Sequence, residues 1–329
     1  MQIDLRTVSI KPVRQTFDHI ARRFGDKPAS RYQEGTYDLQ QTDIFHYRPL
    51  WDPEHVLFDQ KRTQVVMKDW YALKDPRQYY YGSYTIARAR QQDAAESNFD
   101  MVEERGLVDT VPSNLKQIAL ALLVPLRHVE WGGNMNNSYI SAYGYGTAIT
   151  QPCLYHAMDH LGIAQYLTRI GLVLGGPEAL DTAKDAWMND PRWQEMRRLV
   201  EDVLVTQDWF ELFVAQNLVL EGLYHPMFFD RLDDQFTANG ATAISMMTRF
   251  MTEWYAESSK WVDAQIKVAA AESAANKEII SGWVQKYRDR AVKALAPLAE
   301  VAFGDQAGAV MGDVVADFNS RCAKLGLAI

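Results

Sequence analysis

The sequence contains few cysteines and no long hydrophobic run. Only two of its 329 residues are cysteine, Cys153 and Cys322, which is too few for a disulfide framework. Both are expected to be reduced, apolar side chains of the core. No stretch of about 18 apolar residues is present, so no membrane-spanning helix is expected. The N-terminal stretch MQIDLRTVSI lacks an apolar signal segment. These absences together predict a cytoplasmic protein.

Several motifs of known chemistry are also missing. Gly144-Tyr145-Gly146 lacks a third glycine and a preceding strand, and no glycine-rich loop ends in Lys-Ser or Lys-Thr. His156 and His160 lie four residues apart, as in zinc hydrolases, but Ala157 stands where the glutamate would follow. We therefore expect these histidines at the surface or at the edge of the core. The formal charge of −8 argues against nucleic-acid binding.

Helical periodicity is what the sequence does contain, from about residue 85 onward, without a convincing alternating strand. Turn and cap signals divide this region, with Gly175-Gly176-Pro177 and Asn239-Gly240 as the clearest breaks. Helices are predicted at 86–104, 113–141 with a bend at Pro125, 147–174, 178–188, from Pro191, 207–236, from the Asn239-Gly240 break past Val268, 274–303 and 308–325. The pattern predicts an all-α protein.

Residues 1–84 differ from the rest because they lack sustained helical periodicity. They are rich in proline, charged and aromatic residues, and aromatic residues make up 12% of the whole chain. Such a composition is unusual for a solvated disordered segment, which is the alternative interpretation. We predict an extended arm at 1–84 that packs the aromatic residues between Trp51 and Tyr84 against another surface, that of a partner subunit. A helical bundle at 85–270 and C-terminal helices at 271–329 follow it.

Four carboxylates are spaced along the predicted helices as two pairs. Glu130 and Asp159 are 29 residues apart, and Glu221 and Glu257 are 36 residues apart. Each spacing suits two antiparallel helices joined by a short turn. Glu221 lies on an apolar helical face, so it is expected to be buried. His225-Pro226 follows one turn later and predicts a kink in that helix.

Four helices with carboxylates facing one centre are typical of di-iron carboxylate bundles, in which two helices carry Glu and two carry Glu-x-x-His. Where that pattern requires histidine, this sequence has Gly162 and Lys260. Glycine has no donor atom, and an ammonium group repels a metal ion. We therefore predict a vestigial centre without metal, in which Lys260 pairs with Glu257 and Arg127 pairs with Glu130. An oxygen-ligated magnesium, calcium or manganese ion is the alternative.

Three stretches of the sequence resemble one protein family. LVLEGLYHPMFF contains Glu221, LRHVEWGGNMN contains Glu130, and DPRQYYYGSYTIARARQQ begins at Asp75. They resemble the beta subunit of the hydroxylase component of bacterial multicomponent monooxygenases, in the phenol hydroxylase branch next to the toluene monooxygenases. The resemblance extends over nearly the whole chain. It implies a ferritin-like (ribonucleotide reductase-like) fold and a structural role beside a similar alpha subunit, which holds the di-iron centre.

The resemblance also implies cofactors and partners. The complete enzyme would convert phenol to catechol with dioxygen and NADH, using FAD and a 2Fe-2S cluster in its reductase and no cofactor in this chain. Its hydroxylase would be an (alpha-beta-gamma)2 assembly served by a regulatory protein, without nucleic-acid or membrane partners. Two other interpretations stay open. One is a self-sufficient di-iron oxidase or radical-generating subunit, and the other is a metal-free binding protein with a polar channel.

Overall fold

The computed structural model describes residues 13–42 and 48–329, so two parts of the predicted arm, residues 1–12 and 43–47, lie outside the described residues. The described chain consists of helices and irregular segments and contains no strand. The helices are α1 (Asp18–Phe24), α2 (Arg31–Thr36), α3 (Tyr81–Glu104), α4 (Ser113–Leu122), α5 (Leu126–Tyr143), α6 (Thr147–Asn189), α7 (Pro191–Leu204), α8 (Trp209–Phe213), α9 (Glu221–His225), α10 (Leu232–Ala238), α11 (Thr242–Glu272), α12 (Ala274–Phe303) and α13 (Ala307–Lys324).

The predicted helix limits agree with these elements at several capped ends. α7 begins at Pro191, and the Asp190 side chain accepts a hydrogen bond from the backbone N–H of Arg192, as expected for a helix cap. α6 continues past the predicted stop, but Gly176 interrupts it with a φ of 69°. α3 starts at Tyr81, a few residues earlier than predicted, because Tyr80 and Ser83 form its N-terminal cap.

The helices α8, α9 and α10 form one continuous helical run in which the backbone changes twice from α-helical to π-helical hydrogen bonding. π-Helical segments at Val214–Leu220 and Pro226–Arg231 separate the three. Pro226 lies at the start of the second segment, and the backbone keeps right-handed helical angles on both sides of it. The proline is therefore accommodated by π-helical widening. Gly222 serves close packing, because a Cβ atom there would lie 2.9 Å from the Phe318 ring of α13.

Four elements surround the centre of the bundle: α5, α6, the run that contains α9, and α11. α5 and α6 are antiparallel and connected by a short turn. The Asn134 side chain donates a hydrogen bond to the carbonyl of Ala157 (2.8 Å) and so helps to fix their register. Asn137 and Asn217 exchange two amide hydrogen bonds of 2.9 and 2.8 Å, which join α5 to the first π-helical segment.

The described part of the N-terminal arm packs on the bundle of its own chain. Trp70 lies with its ring 5.3 Å from that of Trp209, and Tyr71 belongs to a small apolar cluster that includes Ala148 of α6. Trp70, Tyr71 and Tyr84 are all buried. The expectation that these aromatic residues cover another subunit is therefore wrong for these three. The arm also contains the short helices α1 and α2, which weak periodicity did not reveal.

The C-terminal helices α12 and α13 share the main core with the bundle. Val284 and Leu295 of α12 and Phe318 of α13 are buried in the same apolar cluster as the α5 and α6 side chains. None of the helices in the described part of the chain combines the length and apolarity that a bilayer crossing requires.

Candidate functional site

A fully buried group of histidine and carboxylate side chains lies at the centre of the bundle. Glu130 of α5, His160 of α6 and Glu221 of α9 meet there. His160 Nδ1 lies 2.6 Å from Glu130 Oε2, and His160 Nε2 lies 3.1 Å from Glu221 Oε1. One imidazole ring can satisfy two carboxylates only if both of its nitrogens donate. With both carboxylates ionised, this geometry implies a doubly protonated, positively charged His160.

Three further side chains complete this group. His156 Nε2 lies 3.0 Å from Glu221 Oε2, and the Tyr224 hydroxyl donates to Glu130 Oε1 at 2.7 Å. His225 Nε2 lies 3.7 Å from Glu130 Oε1, too far for a hydrogen bond, and neither of its nitrogens has a partner among the described residues. We refer to the six side chains as the histidine cluster: Glu130, His156, His160, Glu221, Tyr224 and His225.

The electrostatic environment places the proton on His160. Burial alone would lower its pKa, but Glu221 and Glu130 outweigh burial and raise the pKa to about 10. Burial alone would raise the pKa of Glu221, whereas His156 and His160 bring it well below its usual range. Burial lowers the pKa of His156 despite Glu221 and lowers that of His225 to about 3. At neutral pH one imidazolium thus lies between two carboxylates and beside two neutral histidines.

Gly133 makes room for the His160 ring. It follows Glu130 by three residues on α5, and a Cβ atom at this position would lie 2.8 Å from Nδ1 and Cε1 of His160. Real Cβ atoms do not approach other atoms so closely, so any side chain here would displace the ring. α5 therefore offers Glu-x-x-Gly, and a side chain from α6 occupies the space beside the glycine.

A second charged group lies beside the first, between α3, α6 and α11. The Arg88 guanidinium donates from Nε and Nη2 to the two oxygens of Asp159, each at 2.8 Å, and Nη2 also lies 3.2 Å from Glu257 Oε1. The Tyr84 hydroxyl and the Trp254 indole donate to Asp159 as well, at 2.8 and 2.9 Å. Burial alone would raise the pKa of Asp159, but Arg88 outweighs it and lowers this pKa.

The arm contributes to this second group through Arg77. Its guanidinium lies 3.5 Å from Glu257 Oε1 and forms hydrogen bonds of 2.9 and 3.0 Å with Asp75. We refer to the five charged side chains as the arginine cluster: Asp75, Arg77, Arg88, Asp159 and Glu257. Trp254 links the two clusters, because it donates to Asp159 while its ring stacks on His156 at 4.8 Å.

The predicted set of four converging carboxylates is half right. Glu130 and Glu221 are buried at the common centre as expected, whereas Asp159 is buried but bonded to Arg88. Successive helical residues are rotated by about 100°, so His160, one residue further along α6, faces the centre. Asp159 is therefore one position out of register with the centre.

The predicted carboxylate on α11 is displaced for the same reason. The buried face of α11 contains Trp254, Ser258 and Trp261, so Glu257 lies beside that face and is partly exposed. The Ser258 hydroxyl is buried without a hydrogen-bond partner among the described residues.

The remaining predicted positions do not take part in either cluster. Lys260 is exposed, so the prediction that it fills the centre and pairs with Glu257 is wrong. Gly162 lies on the outer face of α6, where nothing described approaches within 4 Å of a Cβ position. Arg127 donates to the Leu180 carbonyl at 2.7 Å, so its predicted pairing with Glu130 is also wrong.

The sequence analysis missed the residues that hydrogen-bond to the two buried carboxylates at the centre. His156 and His160 were expected near the surface, but both are fully buried. A usable signal was present, because the two histidines fall on one helical face about 30 residues after Glu130, and Gly133 gives them room. Tyr224 carried no such signal, since an aromatic residue on an apolar face is ordinarily core.

The residues of the centre do not fit a di-iron site. Such a site uses four carboxylates and two histidines, whereas Glu130 and Glu221 alone among the carboxylates of the described residues face this centre. Donor atoms of His156, His160 and Glu221 lie within 4.8 Å of one another, close enough for one ion. However, both His160 nitrogens are bonded to carboxylates, so the ring has no lone pair for a metal. An ion could bind here only by displacing those hydrogen bonds.

The fold and this centre together define a class of protein. The chain is a ferritin-like helical protein in which hydrogen-bonded side chains occupy the place where such bundles carry metal. Residues 51–273, more than half of the chain, match the family model described as Methane/Phenol/Alkene Hydroxylase. The chain belongs to this family.

Similar proteins cover almost the whole chain. The oxygenase component DmpL of phenol 2-monooxygenase from Pseudomonas sp. (strain CF600) is 49% identical over 99% of this chain and 98% of its own length. Subunit beta of the hydroxylase component of the toluene-4-monooxygenase system from Ectopseudomonas mendocina is 27% identical, covering 87% and 90%. A chain in the crystal structure of xenon-pressurized phenol hydroxylase from Pseudomonas sp. OX1 superposes with a TM-score of 0.93 at 45% identity, covering 99% of both chains.

Proposed function

We propose that this chain is a non-catalytic, structural subunit of a multicomponent phenol hydroxylase. Its similarity over the full length to an oxygenase component of phenol 2-monooxygenase supports the assignment to that enzyme. The similarity to subunit beta of the toluene-4-monooxygenase hydroxylase component supports the assignment as a beta subunit. One observation carries the non-catalytic role. His160 is hydrogen-bonded through both ring nitrogens to Glu130 and Glu221, which leaves no ligand set for di-iron.

The complete enzyme would convert phenol to catechol with dioxygen and NADH in the cytoplasm. Its di-iron centre would lie in an alpha subunit, and FAD and a 2Fe-2S cluster would lie in the reductase. The hydroxylase would be an (alpha-beta-gamma)2 assembly with a separate regulatory protein. In this proposal the chain contributes an arm at 1–84, a bundle at 85–270 and C-terminal helices at 271–329.

Both charged clusters have a structural task in this proposal. His160 joins α5 to α9 through two carboxylates, and Arg88 joins α3 to α6 and α11 in the same manner. Arg77 then attaches the arm to the bundle through Glu257. The chain can therefore present a fixed helical surface without any bound cofactor.

The rival function is a self-sufficient di-iron oxidase or radical-generating subunit, which needs iron in this chain. The isolated chain is loaded anaerobically with ferrous iron, freed of excess metal and analysed for iron content, with the complete hydroxylase as positive control. We expect no stoichiometric iron in the isolated chain. Two iron ions per chain and an oxygen-dependent absorption band would overturn the proposal.

Activity of the assembled hydroxylase gives a second test. Omitting this chain should abolish phenol hydroxylation, because the assembly would not form. If the chain is a non-catalytic subunit, Glu221 has no role in the reaction. Glu221→Gln should therefore leave turnover unchanged in any complex that assembles. A complex of normal mass with strongly reduced turnover would show that the cluster takes part in catalysis.

A further inference from the structure

Buried polar atoms without a hydrogen-bond partner are concentrated in and beside the histidine cluster. The described part of the chain contains nine such side-chain nitrogen and oxygen atoms. Six of the nine lie in this cluster or on the neighbouring face of α11: His156 Nδ1, both ring nitrogens of His225, Ser258 Oγ, Trp261 Nε1 and Gln265 Oε1. These five residues are at most 1% exposed, so no side chain of another subunit can reach the six atoms.

Three of the five residues form a line on the buried face of α11. Ser258, Trp261 and Gln265 follow one another at spacings of three and four residues, which keeps them on one side of the helix. The line is about 10 Å long, from 1.5 Å of rise per residue. Its first part lies beside the histidine cluster, because the Trp261 ring is 5.1 Å from the ring of His156.

The other end of the line lies under the N-terminal arm. The Gln265 amide nitrogen donates to the carbonyl of Lys74 at 2.6 Å and to the carbonyl of Trp261 at 3.3 Å. Two carbonyl acceptors fix the orientation of this amide, so its unpartnered atom is the oxygen. Lys74 is exposed, and the Arg77 guanidinium covers the Trp261 ring at 4.9 Å. The line therefore leads from the buried centre to the backbone of an exposed residue.

The unpartnered atoms are a mixture of donors and acceptors. The Trp261 indole can only donate, the Gln265 oxygen can only accept, and the Ser258 hydroxyl can do both. His156 is neutral and donates through Nε2 to Glu221, so its Nδ1 is an acceptor. An anion offers no donors, and a metal ion binds only to acceptors. The partner that fits is a neutral molecule that both donates and accepts.

Water meets this requirement and has room beside Ser258. A buried polar group without a partner costs stability, and six of them together would remove a large part of the stability of a typical protein. Buried water ordinarily supplies the missing bonds in protein interiors. Ser258 stands between Trp254 and Trp261 on the buried face of α11, so its small side chain leaves space where two large ones flank it.

We propose that ordered water molecules occupy a line of internal sites that runs from the histidine cluster along α11 to the arm at Lys74. Each water accepts from the indole or hydroxyl donors and donates to the imidazole and amide acceptors. The line connects the buried centre to solvent, so protons there exchange with bulk water while the helices stay folded. Every group involved belongs to this chain, so the water sites are independent of the proposed function.

A crystal structure of the full chain, alone or in the assembled hydroxylase, tests the sites directly. We expect single peaks of electron density about 2.7–3.2 Å from Ser258 Oγ, Trp261 Nε1 and Gln265 Oε1. An elongated organic molecule, or the anomalous signal of a metal ion, at these atoms would overturn the proposal. Direct hydrogen bonds among the three side chains, with no density between them, would overturn it as well.

Trp254 and Trp261 are a matched pair of indoles for measuring access of solvent. Both are fully buried on α11, but Trp254 Nε1 donates to Asp159, whereas Trp261 Nε1 has no partner among the described residues. In the full chain with isotope-labelled tryptophan, NMR in heavy water measures hydrogen exchange at each indole. Trp261 should exchange at least about tenfold faster than Trp254, because its route does not require unfolding. Equal rates would contradict a connection to solvent.

A matched pair of substitutions separates the water from the hydroxyl group. Ser258→Ala removes the hydroxyl but leaves the space, so the density beside Trp261 and its rapid exchange should persist. Ser258→Val fills the space and should slow the exchange of Trp261 to the rate of Trp254. If Ser258→Val does not fold, Gln265→Leu at the other end of the line should slow Trp261 in the same way. Slowing in both Ser258→Ala and the blocking variant, or in neither, would overturn the proposal.

Discussion

The two charged clusters have the same design but different cations. In each, a positive side chain bridges two carboxylates, His160 in the histidine cluster and Arg88 in the arginine cluster, where Arg77 and Asp75 add a second pair. The two clusters use neighbouring residues of α6, Asp159 and His160. The inner cluster is fully buried and holds an imidazolium, whereas the outer one has a guanidinium and a partly exposed Glu257. A guanidinium stays charged at any ordinary pH, while an imidazolium can lose its proton. The burial of each cluster and the identity of its cation together determine how the stability of the chain responds to substitution and to pH.

The difference explains which cation is suited to which place. Arg88 lies toward the surface, where its long side chain reaches both carboxylates and its remaining donors reach Gln91. At the bundle centre the His160 ring packs directly against Gly133. A histidine fits this space, but it keeps its positive charge only because the two carboxylates raise its pKa. The charge of the histidine cluster therefore depends on its surroundings and on pH, whereas that of Arg88 does not.

Removing the inner cation should have the largest effect. His160→Leu leaves Glu130 and Glu221 buried without their shared partner, and breaking a buried pair typically costs about 3–5 kcal/mol. Urea unfolding of the chain, followed by far-ultraviolet circular dichroism, measures the change. The double variant His160→Leu with Glu221→Gln should recover a large part of the loss, because one fewer charge remains unpaired. A loss below about 1 kcal/mol for the single variant would contradict the imidazolium assignment.

The pH dependence of stability should distinguish the cations directly. The pKa of His160 is raised in the folded chain to about 10, so its contribution is complete below about pH 6.5 and is lost as the pH rises through 10. The free energy of unfolding should fall by on the order of 4 kcal/mol over that interval, because one pKa unit corresponds to about 1.4 kcal/mol. The lowered pKa of Glu221 adds a second loss as the pH falls below about 4.5.

Tyrosines and lysines also titrate at high pH, but they contribute equally to the unchanged chain and to His160→Leu. The difference between the free energies of unfolding of these two forms therefore reports on His160. This difference should shrink as the pH rises from 7 to 10. An Arg88→Met variant, whose missing group does not titrate there, should instead run parallel to the unchanged chain. Parallel curves for both variants would show that His160 is neutral in the folded chain.

Removing the outer cation should have a smaller effect. Arg88→Met should cost about 1–3 kcal/mol, because Asp159 keeps its hydrogen bonds from Tyr84 and Trp254 and Glu257 reaches water. The measurement is the same unfolding experiment, with Glu257→Gln as the matched variant that should recover part of the loss in the Arg88→Met background. A cost equal to that of His160→Leu would remove the distinction between the clusters.

The smallest effect is expected at Lys260, the cation that local sequence had assigned to the centre. Lys260→Met should change the free energy of unfolding by no more than about 0.5 kcal/mol, because the side chain is exposed. Arg249→Met, on the exposed side of the same helix, is a suitable comparison. A loss of several kcal/mol at Lys260 alone would mean that it reaches the carboxylates after all.

The all-helical fold could be predicted from sequence because its signals are local. Helical periodicity, the cap at Asp190-Pro191 and the apolar face around Glu221 each depend on residues within a few turns. The centre depends on distant residues. Asp159 and His160 are equally polar neighbours, and the choice between them is made by Gly133 on α5 and Arg88 on α3, which local periodicity cannot reveal.

The arm shows the same limit. Its many aromatic residues indicated a packed segment, and the structure confirms burial of Trp70 and Tyr71. Which surface they pack on depends on Trp209 and on Ala148 of α6, far along the chain. Composition alone therefore predicted that the arm is packed, but it gave the wrong partner for these two residues.

The place that Gly133 provides for His160 has an evolutionary consequence. A metal ligand introduced at position 133 alone would collide with the His160 ring, which lies 2.8 Å from the Cβ position. A carboxylate introduced at position 160 alone would put three acidic groups together with no cation. Each single substitution toward a di-iron ligand set is therefore expected to destabilise the chain, and only simultaneous substitutions could open a metal site here. The metal-free arrangement is thus protected against single changes.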